Sequence, residues 1–299
     1  MFHGSIVALI TPFTDDGGID FQALERLVSF HVREGTDALV IAGTTGESAT
    51  LEKDEYTQLV AEAVRLAGDR IPVIAGTGSS STAHSVALSQ KAESLGVSAV
   101  LVVTPYYNRP TQAGLEQHFT AIADAVSIPV ILYNVPSRTS VDLAPQTAAT
   151  LSRHPRIVGF KEAVADPDRI KFLVAACGPA FVILSGDDPS CLQAMRAGAR
   201  GVVSVAANIA PRQMHDLCEA ASVGDWGRAE GIDSRLAPLY ETLALETNPI
   251  PVKWATFEMG LTGPGLRMPL TPLDARHRGA VRECLDQLQI SRMDDETEY

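Results

Sequence analysis

Short runs of Val, Ile and Leu recur along the chain at intervals of roughly thirty residues with helical patterns between them, the alternation of parallel strands joined by crossover helices. Eight such runs stand out, at 5–10, 38–42, 72–75, 99–103, 129–133, 157–161, 181–185 and 201–205. They are continuously apolar, as strands covered on both faces must be. Between the first two, Phe21, Leu24, Leu27, Val28 and His31 share one helical face behind Asp20, a residue suited to cap the helix. Eight strand–helix units predict an α/β fold of the (β/α)8 TIM-barrel class; the competing doubly wound sheet more often has fewer strands and a phosphate-binding first turn. After the eighth run the alternation stops. From Pro211 onward only helical spacing remains: Met214, Leu217 and Cys218, then Trp226, Ala229, Ile232, Leu236, Leu239 and Leu243 behind Asp225. The expected organisation is a barrel over residues 1–224 and a helical extension over 225–299, ending in a frayed acidic tail of Asp294, Asp295, Glu296 and Glu298.

Composition narrows the partners. A chain of 299 residues that is 45% hydrophobic can bury a continuous core, and 24 Lys and Arg against 36 Asp and Glu give a net charge of −12. That charge argues against nucleic-acid or anionic-membrane partners and favours small-molecule chemistry. No apolar run approaches the ~20 residues of a membrane span, and Met1-Phe2-His3-Gly4 opens no signal segment, so the expected location is cytoplasmic. The four cysteines, Cys177, Cys191, Cys218 and Cys284, lack metal-ligand or paired-thiol spacing and read as reduced core residues. The scattered histidines give no metal motif, so no metal is expected. Gly76-Thr77-Gly78 follows a strand but lacks the rest of a dinucleotide fingerprint.

Lys161 is the anomaly of the chain. It ends the apolar run Ile157-Val158-Gly159-Phe160-Lys161, where an ammonium group must reach solvent, pair with Glu162 or Glu47, or serve as a reactive amine. Active sites of such barrels lie at the C-terminal strand ends, so the residues there are read as a group. The second run leads into Gly43-Thr44-Thr45-Gly46-Glu47, whose flexible backbone and successive N–H groups suit a carboxylate, though they also suit an ordinary turn. The fifth ends in Tyr133, which neighbouring strands about 4.8 Å apart would set beside Lys161. A phenol there can move the protons that imine chemistry demands, or simply pack. Arg138 offers a fork for a second carboxylate, or a surface ion pair. The fourth leads into Thr104-Pro105-Tyr106-Tyr107-Asn108-Arg109-Pro110, whose adjacent tyrosines suit an interface or lid as well as local packing.

With these residues in view, the chain closely resembles the dihydrodipicolinate synthase family of the pyruvate-dependent class I aldolase and lyase superfamily, which also includes N-acetylneuraminate lyase. The resemblance runs from Met1 to about Leu288 and covers the 43–47 turn, 104–110, 133–139, 159–163, 184–188 and Asn248-Pro249-Ile250-Pro251-Val252-Lys253-Trp254. It implies a Schiff-base lyase of the diaminopimelate and lysine pathway, with no cofactor beyond the covalent bond, condensing pyruvate with L-aspartate 4-semialdehyde. Lys161 would form the Schiff base. Thr44, Tyr133 and Tyr107 would form a hydroxyl relay, with Tyr107 from a neighbouring subunit of a homotetramer built as a dimer of dimers. Thr45 and adjoining amides would hold the pyruvate carboxylate, Gly186 and Val203 would line its pocket, and Arg138 would hold the semialdehyde carboxylate.

Two other readings compete. A pyruvate-dependent sugar-acid lyase would use the same Lys161 imine, but its polyol substrate would not need Arg138. A non-catalytic regulatory paralogue would have no physical reason to keep Lys161, Tyr133, Thr44 and Tyr107 together. One departure from the family concerns regulation. Feedback-sensitive members bind lysine at a dimer interface, and the matched positions here are Ser48, Ala49, Lys53, Tyr56, Ser80, His84 and Tyr106. Lys53 adds like charge against a cationic effector, and His84 cannot replace a carboxylate as acceptor for an ammonium, so weak or absent inhibition by L-lysine is expected unless Glu52 or Glu55 supplies the missing charge.

Overall fold

The computed structural model describes residues 2–290 and 292; the acidic tail lies outside the described residues. Eight parallel strands close into one barrel in sequence order: β1 (Gly4–Ala8), β2 (Ala38–Ile41), β3 (Val73–Gly76), β4 (Ala99–Val103), β5 (Val130–Asn134), β6 (Ile157–Glu162), β7 (Val182–Ser185) and β8 (Gly201–Ser204). Pairing of Gly4 through Val7 with Gly201 through Ser204 closes the ring and excludes an open doubly wound sheet. The helices are α1 (Phe21–Arg33), α2 (Lys53–Ala67), α3 (Thr82–Ser94), α4 (Gln112–Asp124), α5 (Pro136–Thr139), α6 (Pro145–Leu151), α7 (Pro167–Cys177), α8 (Cys191–Arg196), α9 (Pro211–Ser222), α10 (Trp226–Leu243), α11 (Ile250–Glu258) and α12 (Ala275–Gln287).

The strand pattern is legible because each strand buries two faces. Ile6, Ala8, Val40, Ile74, Leu101, Ile131, Tyr133, Leu184 and Val203 belong to a cluster inside the barrel. Alternate residues such as Val7, Leu39, Val100, Leu132 and Phe160 pack outward against the helices. The expected caps hold: Asp20 accepts the Ala23 N–H at 2.9 Å and Asp225 the Arg228 N–H at 3.1 Å. Some boundaries differ. β1 stops at Ala8, short of the predicted end at 10, because the Ile10 N–H turns to the Asn208 side chain at 3.1 Å. β5 and β6 each run one residue further than predicted, since Asn134 and Glu162 continue the ladder.

Gly76 and Gly78 have a packing role. A Cβ on Gly76 would stand 2.2 Å from the Ala42 carbonyl oxygen, and one on Gly78 would stand 2.3 Å from the Val103 nitrogen, so these glycines let neighbouring strand ends meet backbone to backbone. The cysteines are unpaired, three of them buried and Cys177 half-buried. Beyond the barrel, α10 packs on α9, and α11 and α12 pack together. Among the described residues no helix is long and apolar enough to cross a membrane.

Two buried histidines tie stability to pH. His31 and His118 each place Nδ1 2.9 Å from a threonine hydroxyl, of Thr36 and Thr82 respectively, and each leaves Nε2 buried without a partner among the described residues. Burial pushes them from an ordinary value near 6.5 down to about 3 and about 4. Both rings are therefore neutral in the folded chain, while the unfolded chain takes up their protons below about pH 6.5. Their contribution is complete above that pH and is lost as the pH falls toward the folded values. Urea denaturation at pH 7 and pH 5 should show a loss approaching about 1.4 kcal/mol per pH unit per ring. Equal stability at the two pH values would show that the rings protonate in place.

Candidate active site

The β5–β6 ladder pairs Tyr133 with Lys161, and the β6–β7 ladder pairs Lys161 with Leu184. Successive strand residues face opposite sides. Lys161 therefore turns into the barrel, where it is 6% exposed and its Nζ lies 3.9 Å from the centroid of the Tyr133 ring. The amine meets the ring face, and no hydrogen bond joins it to the phenolic oxygen. Neither carboxylate considered as its ion-pair partner is available: Glu47 pairs with Lys253, and Glu162 pairs with Arg169. Among the described residues Lys161 makes no salt bridge.

Glu162 and Asn134 occupy the outward positions next to Lys161 and Tyr133. The Asn134 amide donates to Glu162 at 3.0 Å and to Asp142 at 2.7 Å, while its oxygen accepts the Leu143 N–H. Arg169 donates to Glu162 at 2.5 Å and also grips both Asp142 carboxylate oxygens. Burial raises the Glu162 pKa, and the Arg169 charge opposes that rise. This network, buried at Asn134 and Glu162 and reaching the surface at Asp142, fixes the ends of the two strands that carry the amine and the phenol.

Gly186 follows β7 and makes room for the lysine. A Cβ there would stand 2.9 Å from Lys161 Cε and 3.0 Å from Ala163 Cβ. Val203 lies inside the barrel on β8. Behind it, the buried Asp188 accepts the Val205 and Ala206 N–H groups at 2.9 and 2.8 Å, and burial raises its pKa.

The 43–47 turn is compact and left-handed at Glu47, where φ is 53°. The N–H groups of Glu47 and Ser48 close it onto the carbonyls of Thr44 and Gly43. Among the described residues the N–H groups of Thr44, Thr45 and Gly46 make no hydrogen bond, which leaves them available to an anion. Thr45 is buried and its hydroxyl accepts the Asn248 side-chain amide at 3.0 Å. Exposed Arg138, on α5, has no carboxylate partner among the described residues and donates to the Asn248 carbonyl at 3.3 Å. Asn248 thus touches both the turn and Arg138.

Thr44 makes no hydrogen bond with Tyr133, and Tyr107 stands apart, 94% exposed with a φ of 73°. A single chain thus brings Lys161, Tyr133, Gly186 and Val203 together within the barrel, but not Tyr107. At the positions matched to an effector site, Ser48, Ala49, Lys53, His84 and Tyr106 are exposed, and Ser80 is half-buried. Tyr56 is buried with its hydroxyl unpartnered among the described residues, and burial pushes its phenol above the ordinary range. Glu55 is committed elsewhere: it pairs with Arg267 and accepts the Glu52 N–H. Among the described residues no three His, Cys, Asp or Glu side chains converge as a metal-ligand set.

Sequence reasoning missed the supporting roles of Asn134, Glu162, Arg169, Asn248 and Lys253. Only Lys253 carried a usable signal. It interrupts the apolar run Ile250-Pro251-Val252-Lys253-Trp254-Ala255 just as Lys161 ends another.

Comparison with known proteins agrees with this architecture. The family model for the dihydrodipicolinate synthetase family matches residues 1–288. A curated relative from Pseudomonas aeruginosa, named 4-hydroxy-tetrahydrodipicolinate synthase, is 51% identical over 290 residues, covering 97% of this chain and 99% of the relative. The crystal structure of the chloride-inhibited dihydrodipicolinate synthase from Acinetobacter baumannii complexed with pyruvate superposes with a TM-score of 0.95 at 48% identity, covering 97% of this chain and all of that one. Dihydrodipicolinate synthase from Aquifex aeolicus gives a TM-score of 0.96 at 44% identity, covering 98% of this chain and 100% of that one. Likeness of this extent in both sequence and closed barrel means that the chain belongs to the dihydrodipicolinate synthetase family.

Proposed function

We propose that the chain condenses pyruvate with L-aspartate 4-semialdehyde through a Schiff base on Lys161, as a 4-hydroxy-tetrahydrodipicolinate synthase of the lysine and diaminopimelate pathway. The observation that carries this reading is a buried lysine inside the barrel with no carboxylate partner among the described residues, its Nζ 3.9 Å from the Tyr133 ring. Family membership supports the same chemistry.

The amine attacks the pyruvate carbonyl carbon, and loss of water leaves the imine. A methyl proton then departs, and the enamine forms a carbon–carbon bond to the aldehyde, whose oxygen takes a proton and remains as a hydroxyl. The amino group of the second substrate displaces Lys161, which closes the ring and frees the lysine. Tyr133, Thr44 and Tyr107 relay the protons. Thr45 and the unengaged N–H groups of the 43–47 turn hold the pyruvate carboxylate, Gly186 and Val203 bound its pocket, and Arg138 takes the semialdehyde carboxylate. No external cofactor is required.

Tyr107 joins this relay from a second subunit, consistent with its exposure and its lack of hydrogen-bond partners among the described residues. The assembly is a cytoplasmic homotetramer arranged as a dimer of dimers. The chain divides after residue 224 into the catalytic barrel and, from residue 225, the extension that carries α10, α11 and α12. L-Lysine inhibits weakly or not at all, since Lys53 repels a cationic effector and Glu55 is already held by Arg267.

Borohydride added with pyruvate should reduce the imine to a stable amine on Lys161 and abolish activity, and Lys161→Ala should not trap. Peptide mapping of the adduct to Lys171 or Lys253 would refute the assignment. A coupled assay with the two substrates tests the overall reaction.

Gly186→Ala should push the lysine side chain out of line. Misplacement of a reacting group by about an ångström can cost up to ~100-fold, so at least a tenfold loss of trapping rate is expected with the fold retained. A wild-type trapping rate would show that the amine position is not set by this contact.

Initial rates measured against added L-lysine should change little at submillimolar concentrations. Strong partial inhibition there would show that the effector site remains competent.

A further inference from the structure

The turn assigned to the pyruvate carboxylate is anchored by an ion pair that touches no substrate in that assignment. Lys253 Nζ lies 2.5 Å from Glu47 Oε1, with the lysine side chain 0% exposed and the carboxylate 1% exposed. The second oxygen, Oε2, accepts the Arg267 backbone N–H at 3.1 Å. The ammonium also lies 4.3 Å from the centroid of the Phe13 ring. Desolvation lowers the Lys253 pKa to about 8 against the opposing pull of Glu47.

Such a pair is weak evidence for a stabilising role. Removing two ions from water costs about as much as their attraction returns, and a well-packed apolar replacement often serves stability as well or better. What the pair does supply is a fixed distance. Glu47 holds the left-handed conformation that ends the turn, and its carboxylate is gripped by α11 and by the segment containing Arg267. Asn248, just before α11, reaches the same turn through the Thr45 hydroxyl. The extension therefore holds the turn at two points, on either side of Gly46.

We propose that Lys253, acting through Glu47, is a positioning residue for pyruvate: the buried pair keeps the N–H groups of Thr44, Thr45 and Gly46 in the arrangement that receives the substrate carboxylate. The inference rests on the assignment of that turn to pyruvate. Loss of the pair should therefore weaken capture of pyruvate much more than later steps.

Two variants of the full chain test it. Lys253→Met leaves the Glu47 carboxylate buried without its ionic partner, whereas Glu47→Gln/Lys253→Met removes both charges and strands neither. Each is assayed for KM of both substrates, kcat, thermal midpoint, and borohydride trapping at limiting and saturating pyruvate. Both variants should raise the pyruvate KM by about tenfold or more, with kcat and the semialdehyde KM changed by less than about threefold. Trapping should be slow at limiting pyruvate and recover at saturation. The double variant should retain a near-wild-type midpoint while keeping the pyruvate defect, and that combination separates positioning from stability. If Lys253→Met does not fold, the double variant decides.

A double variant with the wild-type pyruvate KM overturns the proposal. So does one that fails to fold, or one that loses kcat and both KM values in step with its midpoint, since the pair would then serve only the fold. Wild-type protein that does not trap pyruvate on Lys161 would instead sink the underlying reading of the site.

Discussion

The pairing of β5 with β6 is the constraint on which the site depends. Strand residues alternate between faces, so one step of slippage would turn Lys161 outward into the helix layer and Glu162 into the barrel. The observed register sets Tyr133 against Lys161 on the inside and Asn134 against Glu162 on the outside. The outer pair is tied to Arg169 and Asp142 by charge-assisted hydrogen bonds in a largely buried setting. A slipped ladder would leave these groups buried without partners, and unpaired buried polar groups are costly. The inner pair, Tyr133 and Lys161, thus owes its alignment to the outer pair, Asn134 and Glu162, a single residue further along each strand.

Buried charge is handled in two ways. Glu162, Glu47 and Lys253 each have an ionic partner within 2.5 Å and further hydrogen bonds or aromatic contacts. Lys161 has the Tyr133 ring and, among the described residues, no ionic partner. A lysine whose ammonium is locked to a carboxylate is a poor nucleophile, so the two buried lysines at this end of the molecule are not equivalent: Lys253 is occupied and Lys161 is available. Gly186 completes the distinction by leaving space for the Lys161 side chain beside β7.

The helical extension also acts at the mouth of the barrel. Its residues Asn248, Lys253 and Arg267 all contact the 43–47 turn or its anchoring glutamate. Arg138, on the opposite side of Asn248, donates to that residue's carbonyl. Segments about two hundred residues apart in sequence therefore shape one rim, where Asn248 touches both the 43–47 turn and Arg138.

Much of this was legible in the chain. Continuous apolar runs at regular spacing determined the eight strands, because burial on both faces leaves no alternation to confuse with surface strands. Asp20 and Asp225 announced their helices, because a side-chain acceptor before a helix meets a free N–H. Lys161 announced itself as a polar break in an apolar run, and the motifs around Thr44, Tyr133 and Arg138 lie at or just beyond the C-terminal ends of β2 and β5. The partners were not legible. Whether Glu47 or Glu162 neutralised Lys161 depended on which face each carboxylate took and what met it across space, and the fold gave them to Lys253 and Arg169 instead. The packing of Gly186 against Lys161, and of Gly76 against Ala42, likewise rests on distances between separate strands. Hydrophobic period and capping are local properties that a sequence carries on its face, whereas pairing among buried charges and close approach of backbones are set by long-range geometry and exist only once the barrel has closed.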